Sequence, residues 1–203
     1  MFSRSSGILL HISSLPGKYG IGSLGKKAFE FADFLNNAGQ SLWQILPLCP
    51  TGSANCPYMG LSAFAGNHIF IDIDILISEG LLKKPDTKGF CFSNNMIDYS
   101  QVRINKIFLF KKAYSNFITN KFFTDEYNEF CCNNASWLND YALFMALLAQ
   151  NKGQPWYKWE KDLKFRNKIT LKKVAKKFEY QIGFNKFLQF IFFINCINGE
   201  FFN

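Results

Sequence analysis

Gly7-Ile8-Leu9-Leu10-His11 and Leu42-Trp43-Gln44-Ile45-Leu46-Pro47-Leu48 are two short apolar runs, and their relation decides the fold. The first is bounded by Ser5-Ser6 and by the turn cluster Ser13-Ser14-Leu15-Pro16-Gly17, so it reads as a buried strand. The second reads as another strand, ending near Pro47 and Pro50. The stretch between them carries a helical pattern. Ser23 is placed to cap it, Gly25 stands near its start, and Phe29, Ala32, Phe34 and Leu35 recur close to the 3.6 period until Gly39 stops it. Glu30 and Asp33 fall on the solvated face of that helix.

Strand, helix, strand is the opening of a parallel α/β fold. A long loop rich in Gly, Ser, Asn and Pro follows from Cys49 to Asn67, and α/β folds place binding groups on such loops. Residues 69–73 read as a further extended piece, which would set Asp72 and Asp74 on one strand face. From about Ser78 the pattern is helical, over 101–119, 124–151 and 170–195. A complete (β/α)8 barrel needs eight strands and about 250 residues. The fold class expected is therefore α/β, an incomplete (β/α)8 TIM-type barrel of two strands with a largely helical insertion. Residues 1–70 form the first βαβ part with its loop, and 71–203 form the insertion and the lead-in to a third strand.

Composition narrows the function classes. The chain is 48% hydrophobic and 18% aromatic, with 24 Phe, which argues against disorder. Its net charge of +8 invites a nucleic-acid reading. Of the 23 cationic residues, however, only Arg4, Arg103 and Arg166 carry the planar guanidinium that suits base reading and forked phosphate contacts. No nucleic-acid partner is expected. The apolar run 187–197 falls short of the ~20 residues that span a bilayer, so no membrane partner is expected either. Met1 to Ser6 are not followed by the apolar core and cleavage site of a signal peptide, which points to the cytoplasm. The six cysteines contain no CxxC pair, and the reading is of free, mostly buried thiols with no metal site.

Gly20-Ile21-Gly22-Ser23-Leu24-Gly25 matches GxGxxG, yet residues 12–19 separate it from the first strand. The second strand also ends without an acidic residue for a ribose. The glycines are read as serving backbone turns, and no cofactor is expected.

The blocks Ser6-Gly7-Ile8-Leu9-Leu10-His11, Ser13-Ser14-Leu15-Pro16-Gly17 and Tyr19-Gly20-Ile21-Gly22 resemble the opening signature of 4-alpha-glucanotransferases, the amylomaltase or disproportionating-enzyme family. Residues 38–48, Pro50-Thr51-Gly52, Pro57-Tyr58, residues 62–67, Asp98-Tyr99, residues 137–144 and Pro155-Trp156 with Trp159 follow in the family's order. The resemblance implies transfer of α-1,4-glucan segments between maltooligosaccharides by a retaining mechanism, in maltodextrin metabolism, without metal or organic cofactor. That chemistry needs two carboxyl groups about 5 to 5.5 Å apart. In the family these groups come from later strands, so no catalytic residue is expected in this chain.

The same resemblance makes Tyr58 a sugar-binding aromatic, its ring suited to the apolar face of a glucose unit. Asn55, Pro57 and Ser62 are expected to shape the same rim. His11, at the end of the first strand, reads equally well as a satisfied core imidazole and is left out of the site. Asp72 and Asp74 are read as loop hydrogen-bonding groups, and Asp140 as a structural partner for a helix or loop. Cys56 and Met59 replace the family's usual Ser and Gln, and His68 its usual Pro. Residues 195–203 depart from the family and read as a decayed or out-of-frame end. The expectation is a truncated, inactive fragment, with a C-terminal chain needed to complete the barrel. The alternative is a non-catalytic glucan-binding module or a split-gene partner acting in trans.

Overall fold

The parallel pairing expected from the two apolar runs is present, but over fewer residues. In the structure, a computed structural model that describes residues 4–52, 54–90, 92 and 96–197, strand β1 is Gly7–Leu9 and strand β2 is Leu42–Gln44. They pair in parallel with Gly7 opposite Leu42, Ile8 opposite Trp43 and Leu9 opposite Gln44. A Cβ on Gly7 would lie 2.4 Å from the Leu42 carbonyl oxygen, so this close approach requires glycine. The ladder closes with Leu10 N–H donating to the Gln44 carbonyl at 3.1 Å. Beyond it, Ile12–Ser14 turn into a 3-10 helix, so residues 45–48 have no strand partner and are not strand.

The expectation that the first run is a buried strand is also corrected. Ile8 is 42% exposed, Leu9 58% and Leu42 59%. A pair with no third strand beside it among the described residues leaves apolar side chains in solvent.

Helix α1, Lys26–Asn37, buries Ala28 and Leu35 and sets Phe31 edge-on to Trp43 at 4.9 Å. Phe34, expected in the buried stripe, is 62% exposed, whereas Glu30 and Asp33 are exposed as expected. Ser23 does not cap the helix. The N-cap is Gly25, and the Ser23 hydroxyl donates instead to the Asp72 carboxylate at 2.5 Å. The helix ends at Asn37 and is stopped by Gly39, whose φ of +70° is the left-handed conformation of a glycine stop.

Residues 69–73 are not extended. His68–Phe70 form a 3-10 turn whose N-cap, Asn67, accepts the Ile69 N–H through Oδ1 at 3.3 Å. Helix α2, Ile73–Ser78, starts where Asp72 Oδ1 accepts the N–H groups of Asp74 and Ile75 at 2.8 and 3.2 Å. Asx side chains that bond the backbone two and three residues ahead turn an apparent alternation into a cap. Asp72 and Asp74 therefore share no strand face, but both are hydrogen-bonding groups as expected.

Helix α3, Tyr99–Asn120, is capped by Asp98 and buries Val102, Leu109, Phe110 and Ala113. It also buries Lys106, whose Nζ donates to the carbonyls of Ile69 and Ile71 at 2.6 and 2.9 Å. The expected helix over 124–151 is two helices, α4 (Thr124–Asn133) and α5 (Ala135–Gln150). They break at Asn134, whose amide donates to the Phe130 carbonyl and accepts from Trp137 Nε1. Helix α6 is Lys161–Lys164, α7 is Lys168–Lys177 and α8 is Glu179–Ile197. The expected helix over 170–195 is thus split at Phe178.

The described residues divide into two units, one within Met1–Phe122 and Ile191–Asn203, the other Phe123–Phe190. Asn195, Cys196 and Ile197 continue α8 rather than departing from it, and 198–203 lie outside the described residues. Of the five described cysteines, all free, only Cys196 is buried, so the thiols are not mostly buried; Cys91 lies outside the described residues. Among the described residues no helix is long and apolar enough to cross a membrane.

Candidate functional site

The loop from Cys49 to Asn67 is held by its own backbone. Thr51 and Gly60 form an antiparallel bridge, Leu61 N–H donates to the Pro50 carbonyl at 2.8 Å, and Asn67 N–H donates to the Leu48 carbonyl at 2.7 Å. Arg103 reaches in from α3 to donate to Thr51 Oγ1 at 3.0 Å. The loop thus stands at the C-terminal ends of the paired strands, the end at which parallel α/β folds gather their sites.

There His11, Pro47, Asn55, Pro57, Asn67 and Tyr99 are among the residues that line a small cavity of about 10 Å³. The His11 ring stands edge-on to Phe70 at 5.2 Å. Burial lowers its pKa from the ordinary value, which favours the neutral imidazole. Its Nδ1 is buried without a hydrogen-bond partner, and so is Oδ1 of Asn55. Of the two readings open for His11, that of a fully satisfied core imidazole does not hold. What could have found it in the sequence is its position at the C-terminal end of a parallel strand, directly before a loop. Asn55 holds φ at +54°, a conformation that Asn tolerates better than most residues.

Asn55 and Pro57 come together at this cavity. Tyr58 does not line it; its side chain projects from the loop and is 73% exposed. Ser62 faces elsewhere. Its Oγ accepts the N–H groups of Phe64 and Ala65 at 3.1 Å each, and it lines a second cavity, of about 380 Å³, with Pro47, Phe64, Phe192, Phe193 and Cys196.

The carboxylates nearest in sequence have other roles. Asp72 caps α2 and accepts from Ser23. Asp74 accepts from Lys18 Nζ at 2.7 Å and from the Tyr19 hydroxyl at 2.8 Å. Burial alone would raise the Asp74 pKa, but these two hydrogen bonds together with the positive charges of Lys18 and Lys84 hold the group below its usual value. A carboxyl so held is ionised at neutral pH and unsuited to act as an acid. Asp140 pairs with Arg166 at 2.8 Å, the structural partnership expected of it. No group of three or more His, Cys, Asp or Glu among the described residues could hold a metal ion.

A family model described as 4-alpha-glucanotransferase matches residues 10–196. A 4-alpha-glucanotransferase of Clostridium butyricum is 44% identical over 186 residues, which cover 91% of this chain and 38% of that protein. One from Aquifex aeolicus is 44% identical over 192 residues, covering 94% of this chain and 38% of its own. Among solved structures, an amylomaltase of Streptococcus agalactiae in complex with acarbose matches with a TM-score of 0.91 at 32% identity. That match covers 97% of this chain and 40% of the other. The chain thus spans about 38% of the length of the curated relatives it matches.

Proposed function

Because the chain belongs to the 4-alpha-glucanotransferase family, we propose that it serves the transfer of α-1,4-glucan segments between maltooligosaccharides, by a retaining mechanism and in the cytoplasm. On this reading residues 1–70 are the opening of a (β/α)8 barrel with its substrate loop, and 71–203 are a mainly helical insertion with the lead-in to a third strand. The observation that carries the reading, beside the family match, is the convergence of His11, Asn55 and Pro57 at the C-terminal ends of the strand pair.

The unpaired Nδ1 of His11 and Oδ1 of Asn55 belong to a cavity of about 10 Å³, which has room for a single water or one hydroxyl group and not for a sugar ring. Tyr58, exposed at the loop, offers an aromatic face to the C–H face of a glucose unit. Pro57 and Ser62 shape the loop on either side of it. Acarbose, held by the Streptococcus relative, is a ligand of the same saccharide class. The nucleophile and the acid/base would come from sequence beyond these residues or from a complementing C-terminal chain. No residue described here takes those roles.

The test combines binding and turnover. The purified chain is expected to bind maltotriose saturably at millimolar concentrations, to lose the part of that binding made at the 49–67 loop on Tyr58→Ala, and to release no glucose alone. Glucose release is expected to return when the chain is mixed with the remaining barrel portion of a relative. Absence of saturable binding would overturn the substrate reading. Binding without restored turnover would favour the second reading, a non-catalytic glucan-binding module, for which the exposed Tyr58 loop is the supporting observation.

A further inference from the structure

The unit Phe123–Phe190 carries another concave site, to which the 49–67 loop does not contribute. Helix α5 presents Asp140, Leu143, Phe144 and Leu147 at spacings of three and four, hence on one face. After Pro155, a 3-10 turn at Trp156–Lys158 brings two indoles over this face. Trp159 is the fixed one: 8% exposed, with Nε1 donating to the Gln154 carbonyl at 2.8 Å and its ring 5.6 Å from Phe144. Trp156 is the open one, 53% exposed and braced edge-on by Tyr157 at 6.1 Å. Leu163 and Leu171 complete a cavity of about 380 Å³, within the range of small-ligand sites.

The rim of this cavity is an ion pair. Arg166 Nη2 donates to Asp140 Oδ2 at 2.8 Å, with the two side chains 65% and 63% exposed. Arg166 holds φ at +55°. Its N–H donates to the Leu163 carbonyl and the Asn167 N–H to the Asp162 carbonyl, which is a helix stop of the kind that ordinarily takes glycine. Arg166 is thus kept in a left-handed conformation with its guanidinium at the cavity mouth.

We propose that this cavity is a glucan-binding site, with the pyranose C–H face on Trp156 and its hydroxyls bridging Arg166 and Asp140. The ligand class follows from the lining. A flat aromatic wall beside a paired donor and acceptor suits a neutral molecule with one apolar face and a hydroxylated edge. An anion would meet Asp140, and a cation would meet Arg166 and Lys164. The choice of an α-1,4-glucan among pyranosides rests on the substrate class proposed above.

Maltoheptaose titrated into the full chain, followed through the indole Nε1 signals of the four tryptophans, tests the site. The Trp156 signal is expected to shift saturably, and Trp156→Ala to weaken this binding by roughly tenfold or more. Arg166→Gly relieves the left-handed conformation, so it is expected to keep or raise the melting temperature while weakening the sugar. Tyr58→Ala is expected to leave the Trp156 response intact, which separates this site from the loop. A silent Trp156 signal, unchanged affinity in both Trp156→Ala and Arg166→Gly, or loss of the Trp156 response in Tyr58→Ala would each overturn the proposal.

Discussion

Asn195, near the end of α8, accepts through Oδ1 the main-chain N–H of Asp72 at 3.0 Å, across 123 positions of sequence. Asp72 meanwhile caps α2 with its own carboxylate and accepts from Ser23. One residue thus ties the start of α1, the start of α2 and the last turn of α8 into the first unit, and Asn195 is buried to do so.

Replacing Asn195 by Leu keeps the bulk but leaves the Asp72 N–H without its acceptor. A part-buried donor so orphaned costs about 1–3 kcal/mol. The urea midpoint of Asn195→Leu is expected to fall accordingly with an unchanged slope, and an unshifted midpoint would contradict the closure.

Gly66 packs on Phe192, where a Cβ would lie 2.0 Å from the ring. Phe192 is 5% exposed and has little room to give. Gly66→Ala is expected to destabilise by about 1–3 kcal/mol, the cost of overpacking. Phe192→Leu in the same chain should recover part of that loss, a coupling that a double-mutant cycle reads directly.

Lys106 gives the stability a pH dependence of definite sign. Burial pulls its amine down to about 7, against a partial pull upward from Asp72. A neutral amine still has two N–H donors for its two carbonyl partners, Ile69 and Ile71. Between about pH 7 and 10.5 the unfolded lysine holds a proton that the folded one has lost, so stability rises with pH across that window. Below pH 7 both states are protonated and this contribution is flat at its minimum. Denaturant melts at pH 7 and pH 9.5 should show the rise, and Lys106→Met should flatten it relative to the parent chain.

Asn55 separates conformation from recognition. Its φ of +54° suits glycine, so Asn55→Gly is expected to hold stability within about 0.5 kcal/mol while removing the unpaired Oδ1. Maltotriose affinity should then fall at constant melting temperature. Asn55→Val, which puts a β-branched residue at positive φ, should lose stability as well. Equal affinity in Asn55→Gly would remove Asn55 from the rim.

Much of the local order was legible. The Gly39 stop, the α3 boundaries and the solvated Glu30 and Asp33 follow from short-range rules, since a cap, a left-handed glycine and a helical stripe each involve residues within about one turn. The misreadings share one cause. Ser23 stands where a cap belongs, but Asp72 claims its hydroxyl. Residues 69–73 alternate like a strand until Asn67 and Asp72 bond the backbone ahead of them. His11 stayed open because nothing in the sequence counts the partners of a ring nitrogen.

By itself, then, the sequence determined the parallel strand–helix–strand opening, the helical remainder and the family, because those rest on periodicity and on ordered blocks of residue identity. Tertiary structure alone decided that Lys106 is buried against carbonyls 35 and 37 positions away, that His11 and Asn55 leave polar atoms unpaired in one cavity, and that Arg166 meets Asp140 beside Trp156. Each of these depends on desolvation and on partners supplied from distant parts of the chain, quantities that exist only once the chain has folded.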